Sequence, residues 1–213
     1  MNFPILTATM LAPVVGLLLI LLIPEREQLT IKITAAAATF VSLVLAILAY
    51  VLYNHGQGGL QFLQDIPWVP AFGINYSVGV DGMSLPLVLL TAIVIFTGVF
   101  ASWDMTKRIK EFFIFLLMLV TGVFGVFISR DLFFFYLFFE VAVIPMYLLI
   151  GIWGSTRKEY ATMKLTLYLL VGSAFALIGI IATFLYAAQQ LGHATFDIQT
   201  LATVSYDLGF QKF

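Results

Sequence analysis

Hydrophobic residues occur along this chain in six long runs that are separated by shorter polar stretches. Each run contains about 20 mostly apolar residues, the length that an α-helix needs to cross the hydrocarbon core of a bilayer. The runs cover residues 3–23, 33–53, 84–103, 112–129, 132–154 and 161–188. They predict one all-α integral membrane domain over residues 1–213. No Lys or Arg precedes the first run, and it is too long for the core of a signal peptide, so we expect it to remain as a helix.

The longest connection between runs, residues 54–83, has a pattern of its own. Every second residue from 72 to 80 is apolar, and the residues between them are small or polar. A period of two is typical of a half-buried β-strand, with an irregular loop as the alternative. Asp81-Gly82 would end the strand with a turn, and Ser84 is then expected to cap the third helix.

The composition supports a membrane protein. Of the 213 residues, 62% are hydrophobic and only 10% are charged, and the mean hydropathy is +1.07. Soluble domains carry about 25% charged residues, so this chain could not cover a globule with a wettable surface. The net charge of -1 does not favour a polyanionic partner such as a nucleic acid. The absence of cysteine excludes disulfides, thiolate metal sites and a cysteine nucleophile.

The distribution of basic residues predicts the orientation. The loops after the first, third and fifth runs contain seven, namely Arg26, Lys32, Lys107, Arg108, Lys110, Arg157 and Lys158. The other two loops and the two tails contain only Arg130 and Lys212. Basic loops remain on the cytoplasmic side. Both termini of the chain, and the long loop, are therefore predicted on the outside.

Glu140 is the residue that the hydrophobic pattern explains least. It lies near the middle of the fifth run, and no other charge in that run could pair with it. Placing a charged group at the centre of a spanning helix costs about 2.5–3.5 kcal/mol, and such groups usually mark ion pathways. Burial disfavours the charged form and a nearby cation restores it, so this carboxyl group is a candidate proton carrier. The alternative is a protonated glutamate that hydrogen-bonds to a neighbouring helix.

Two further residues belong to this candidate site. Pro145 cannot donate a hydrogen bond to the carbonyl group of Val141, which is left free beside Glu140. Pro145 is thus predicted to distort the helix there, although an ordinary membrane proline kink is the simpler interpretation. Lys164 lies early in the sixth run, where a functional lysine and one that extends to the interface are both possible. The predicted spans separate Lys164 from Glu140 by roughly 15 Å along the membrane normal, too far for a direct ion pair.

The sequence offers no other recognisable chemistry. It contains no phosphate-binding glycine loop and no cluster of metal ligands, and His55 and His193 stand alone in loops. The glycines of GVFG, residues 122–125, are typical of close contact between membrane helices. We therefore expect neither a metal nor another cofactor in this chain.

Three stretches together resemble a known family. They are GVDGMSLPLVLLT at 79–91, RDLFFFYLFFEVAVIPMYLLIGIWG at 130–154 and KEYATMKLTLYLLVGSAF at 158–175. The chain is similar to the antiporter-like membrane subunits of respiratory complex I, in particular chain M, which is called chain 4 in mitochondria. Related proteins include an antiporter-like component of the multisubunit sodium/proton antiporters and the membrane subunits of energy-converting hydrogenases.

The resemblance implies a proton-translocating subunit of an NADH:quinone oxidoreductase in the bacterial inner membrane or an equivalent energy-transducing membrane. Such a subunit couples quinone reduction elsewhere in the complex to pumping, assembles with other membrane subunits and has no redox site of its own. In the family, a glutamate on the fifth helix works with a lysine on a later, broken helix. Glu140 matches that glutamate, and Lys164 matches a lysine common early in the sixth helix.

The chain departs from the family in length. Members have about fourteen helices in two inverted repeats, whereas six are predicted here. We expect an N-terminal fragment of a longer subunit; the alternative is that the remaining helices come from another chain. In function, the alternatives are a subunit of a cation/proton antiporter or of an energy-converting hydrogenase, and a membrane scaffold in which Glu140 only packs.

Overall fold

The computed structural model describes residues 4–211 and confirms the six apolar runs as helices. These are α1 Ile5–Leu22, α2 Gln28–Leu52, α3 Ser84–Ala101, α4 Ile109–Ile128, α5 Leu132–Trp153 and α6 Lys158–Leu191. All six are long and apolar enough to cross a membrane, so the chain is an integral membrane protein. Two short helices, α7 Ile198–Thr203 and α8 Leu208–Gln211, follow α6.

The helix bounds differ from the predicted runs mainly where a helix continues into polar sequence. α2 begins at Gln28, five residues before its predicted start, and α6 extends from Lys158 to Leu191 over 34 residues. Hydropathy marks only the part of a helix that lies in hydrocarbon, and it does not detect the polar turns beyond it. Phe3, the predicted start of the first span, lies outside the described residues.

α4 lies at the centre of the helix bundle. It contacts α1, α2, α3 and α5, and Phe113, Leu117 and Phe124 on it are fully buried. α6 packs along α5 at the edge of the bundle and leaves most of its surface exposed. The space between α5 and α6 is therefore at the margin of the bundle.

The loop between α2 and α3 forms a β-hairpin. β1, Gln61–Val69, pairs antiparallel with β2, Ile74–Val80, so that Ile66 lies opposite Tyr76. The prediction of a strand within 72–80 is confirmed, whereas β1 was not predicted. Gly73 after the intervening turn has φ +63°, and a Cβ there would collide with the carbonyl group of Ala194. We call this side of the bundle the hairpin end, and the opposite side the basic end.

Asp81 caps α3, and the expectation that Ser84 does so is wrong. The Asp81 Oδ1 atom accepts hydrogen bonds from the backbone nitrogens of Ser84 at 2.7 Å and Met83 at 3.0 Å. The Ser84 hydroxyl instead accepts from the Asp81 nitrogen at 3.0 Å. The hydrogen bond from the Ser84 backbone holds the pKa of the Asp81 carboxyl group below its usual value. The acidic member of this reciprocal pair is the residue assigned to the turn.

Asp131 caps α5 and joins it to the hairpin. Its carboxyl group accepts from the backbone nitrogens of Phe133 at 2.8 Å and Asn75 at 3.1 Å. The side chain is only 1% exposed, and burial raises the pKa of its carboxyl group. Arg130 is 3.5 Å from Asp197, which precedes α7. These two residues therefore hold α5, β2 and the segment after α6 together.

Lysine side chains close the helices that finish at the basic end. Lys110 of α4 donates to the carbonyl groups of Leu21 and Ile23, where α1 ends, at 2.9 and 2.8 Å. Lys32 donates to the Trp103 carbonyl group beyond α3, and Lys158 donates to the Ile152 carbonyl group in α5. Cations are favourable at helix C-termini because the last carbonyl groups have no partner within the helix.

Candidate functional site

The direction of the Glu140 side chain is set by the packing of α5 on α4. A Cβ added to Gly122 would lie 2.8 Å from both the Ala142 nitrogen and the Phe138 carbonyl oxygen, so the two backbones are in contact there. Gly125 lies against the ring of Phe138 in the same way. Helix residues advance by about 100°. Glu140, two residues from both Phe138 and Ala142, therefore points away from α4.

Two hydroxyl groups lie beside the Glu140 carboxyl group. Tyr136 is one turn earlier on α5 and so shares the face of Glu140. Its hydroxyl interacts with both the Glu140 carboxyl group and the hydroxyl of Ser173 on α6. Ser173 is 6% exposed, and its own hydroxyl donates to the Leu170 carbonyl oxygen at 3.2 Å. The site thus lies between α5 and α6 and takes one hydroxyl from each helix.

One oxygen of Glu140 is left without a hydrogen bond. The Oε1 atom is buried and has no hydrogen-bond partner in the described part of the chain. The ion pairs among residues 4–211 are Arg108–Glu111 and Arg130–Asp197, and neither includes Glu140. A buried carboxyl oxygen without a partner is unfavourable. The geometry therefore leaves Oε1 available to a water molecule, a proton or a group from outside the described residues.

Pro145 is buried, five residues beyond Glu140 towards the basic end. α5 continues through it as one helix from Leu132 to Trp153. Proline has no N–H, so the Val141 carbonyl group, adjacent to Glu140, receives no hydrogen bond from residue 145. This keeps a second acceptor near the carboxyl group, while a distorting role for Pro145 is still a prediction.

The structure does not bring Lys164 to Glu140. Lys164 is exposed on α6, and its Nζ atom is 5.8 Å from the centre of the Tyr160 ring. With the observed helix bounds it is about 10 Å nearer the basic end than Glu140. Any coupling between these two residues requires water or side chains between them.

Sequence reasoning missed Tyr136 and Ser173. Tyr136 could have been found, because a polar group four residues before a buried carboxyl group lies on the same helix face. Ser173 could not, since its proximity depends on how far α6 slides along α5. No group of three or more His, Asp or Glu residues within residues 4–211 is arranged to hold a metal ion.

Comparison with sequence families places both candidate residues in a described region. Residues 129–211 match the family described as NADH:quinone oxidoreductase/Mrp antiporter, transmembrane region. That range includes Glu140, Lys164, Tyr136 and Ser173.

Similar curated proteins are cyanobacterial. NAD(P)H-quinone oxidoreductase chain 4 3 of Picosynechococcus sp. is 37% identical over 211 residues, which is 99% of this chain and 38% of that protein. NAD(P)H-quinone oxidoreductase chain 4 of Gloeobacter violaceus is 36% identical over 211 residues, 99% of this chain and 39% of that protein. The chain thus spans about two fifths of the length of these relatives.

Solved structures share the fold. A chain of respiratory complex I from Thermus thermophilus with bound NADH matches with a TM-score of 0.76 and 27% identity. A chain of the membrane-bound sulfane sulfur reductase, an archaeal respiratory membrane complex, matches with a TM-score of 0.78 and 17% identity, a likeness of fold alone. Each match covers 95% of this chain and 40% of the other.

Proposed function

We propose that the chain belongs to a proton-translocating subunit of an NADH:quinone oxidoreductase, because its sequence and its fold are those of the antiporter-like membrane subunits of respiratory complex I. Quinone reduction takes place elsewhere in the complex and drives proton movement through this subunit. The observation that carries the proposal is the buried Glu140 Oε1 atom, which has no hydrogen-bond partner among residues 4–211, in a helix that crosses the membrane.

Glu140 is the proton carrier in this proposal. A carboxyl group in low-dielectric surroundings changes its protonation state in response to a moving charge or hydrogen-bond donor. The Oε1 atom is the position at which a proton arrives or leaves. Lys164 is too far for direct contact and acts through water or residues outside the described part, and Pro145 keeps a free carbonyl group beside the relay.

The complete subunit is proposed to be longer than this chain. Relatives about two and a half times as long supply the helices that would complete the proton path. In this proposal the chain is an N-terminal portion, it binds no cofactor of its own, and its partners are other membrane subunits of the complex. The later helices supply a cation near the Glu140 carboxyl group.

The proposed orientation follows the basic residues. All seven basic residues predicted for one side lie at the basic end, and Arg130 lies at the hairpin end; Lys212 is outside the described residues. The positive-inside rule then places the basic end in the cytoplasm of a bacterial inner membrane, or on the equivalent side of another energy-transducing membrane. The hairpin and the start of the first helix are on the outside.

A second function is supported by the family description, which names the Mrp antiporter beside NADH:quinone oxidoreductase. In that case the same Glu140 site exchanges protons against a cation in a multisubunit antiporter, or works in an energy-converting hydrogenase, with no NADH-dependent quinone reduction. Purification of the native assembly distinguishes these functions, because only an NADH:quinone oxidoreductase oxidises NADH when a quinone is supplied.

The proposal is tested with Glu140→Gln in the complete complex. Glutamine keeps the size of the side chain but cannot carry a proton, so we expect assembly to be retained and NADH-driven proton uptake into membrane vesicles to be lost. Glu159→Gln is the matched control, because Glu159 is exposed at the start of α6. Unchanged proton pumping by the assembled Glu140→Gln complex would contradict the proposal.

A further inference from the structure

Tyr136 is the side chain that stands between Glu140 and α6. We propose that Tyr136 is a positioning residue for Glu140, whose single hydroxyl hydrogen points to Glu140 when that residue is ionised and to Ser173 when it is protonated. The proposal rests on the proposed function and assigns a further residue to the same site. It follows from the way donors and acceptors are distributed among the three side chains.

Ser173 can act only as an acceptor towards Tyr136. A serine hydroxyl has one hydrogen, and the structure commits it to the Leu170 carbonyl oxygen at 3.2 Å. The Ser173 oxygen still has a free lone pair facing Tyr136. A tyrosine hydroxyl likewise has one hydrogen, yet it interacts with both Glu140 and Ser173. The hydrogen can serve only one of them at a time.

The protonation state of Glu140 decides the choice. The ionised carboxylate is purely an acceptor and forms the stronger, charge-assisted hydrogen bond, so it takes the Tyr136 hydrogen. The protonated carboxyl group can instead donate to the Tyr136 oxygen, and the tyrosine then donates to Ser173. Both states are hydrogen-bonded, and only a rotation of one hydroxyl hydrogen separates them. No covalent bond to tyrosine or serine forms or breaks.

The arrangement also divides the roles of the carboxyl group. Tyr136 holds it against α6, while Oε1 stays buried without a partner among residues 4–211. Packing of Phe138 and Ala142 on α4 prevents α5 from rotating the pair away from Ser173. Other charges on the adjoining helices, at Lys110, Glu111, Lys158, Glu159 and Lys164, lie towards the basic end.

The test uses the complete complex and two readouts. Tyr136→Phe removes only the hydroxyl, and Tyr147→Phe is the control because Tyr147 lies on the same helix but is 44% exposed. Redox-induced infrared difference spectra report the C=O stretching band of the protonated Glu140 carboxyl group, identified by its loss in Glu140→Gln. We expect the band to move to higher wavenumber in Tyr136→Phe, since the carboxyl group loses its partner, and the proton pumping rate to fall by about tenfold.

Ser173 provides an independent arm if Tyr136→Phe fails to assemble. Ser173→Ala removes the acceptor and is expected to shift the same band, whereas Ser173→Thr keeps a hydroxyl and restores its position. An unshifted band and normal pumping in Tyr136→Phe or in Ser173→Ala overturn the inference. Loss of pumping in Glu140→Gln alone, with both other variants normal, overturns it while leaving the proposed function intact. Normal pumping in Glu140→Gln instead overturns the proposed function.

Discussion

Gly122 offers a direct test of whether the contact between α4 and α5 positions the site. In Gly122→Ala the new Cβ atom would lie 2.8 Å from the Cβ and nitrogen atoms of Ala142 and from the Phe138 carbonyl oxygen. Ordinary contacts begin near 3.4 Å, so the helices must separate by about 0.6 Å. Two of these three atoms belong to the backbone, and no side-chain rotation can relieve the overlap.

The cost follows from that geometry. Overpacking a well-packed site typically costs about 1–3 kcal/mol, and Ala gains back up to about 1 kcal/mol through its helix propensity. We expect Gly122→Ala to lower the thermal stability of the purified complex. Proton pumping should fall as well, because displacement of α5 moves Glu140 and Tyr136 relative to Ser173.

Gly98→Ala in α3 is the matched control. Nothing lies within 4 Å of a Cβ at that position, so the same substitution should leave stability unchanged or slightly raised. Thermal unfolding followed by intrinsic fluorescence, with NADH-driven pumping in vesicles, measures both effects. Equal behaviour of the Gly122→Ala and Gly98→Ala complexes would show that the α4–α5 contact does not position the site.

Two further predictions concern the orientation and length of the subunit. Because the sequence has no cysteine, Met83→Cys at the hairpin end, where Met83 is 83% exposed, should react with a membrane-impermeant maleimide in intact cells, and Ser155→Cys at the basic end only after permeabilisation; the reverse pattern would invert the topology. The intact mass of the polypeptide from its native complex should be well above 23.6 kDa, about two and a half times that value by the length of its relatives, whereas a mass of 23.6 kDa would refute the fragment and require a separate chain for the missing helices.

The sequence predicted the membrane helices well because length and hydropathy alone determine whether a segment spans a bilayer. It missed β1 because Pro67 and the run around it break the alternation that revealed β2. It assigned the α3 cap to Ser84 because the spacing allows either residue of the pair to cap, and only the backbone geometry selects Asp81.

The candidate site shows a similar division. Glu140 was found because a carboxyl group in an apolar helix is unusual at the level of composition. Its surroundings were not, since the 37 residues between Tyr136 and Ser173 include a loop whose geometry sets the register of α6 against α5. Lys164 illustrates the same limit: its position in the sequence suggests a site, and the fold places it on the exposed surface of α6.

The lysines at the basic end have a consequence for how the protein enters the membrane. The final carbonyl groups of α1 receive their hydrogen bonds from Lys110, which is synthesised almost 90 residues later. Backbone groups without partners are costly near hydrocarbon, so α1 reaches its most favourable state only when α4 has been inserted beside it. The residues that orient the chain thereby also link early and late stages of its biogenesis, and α1 to α4 mature as one unit to which the α5–α6 pair is added.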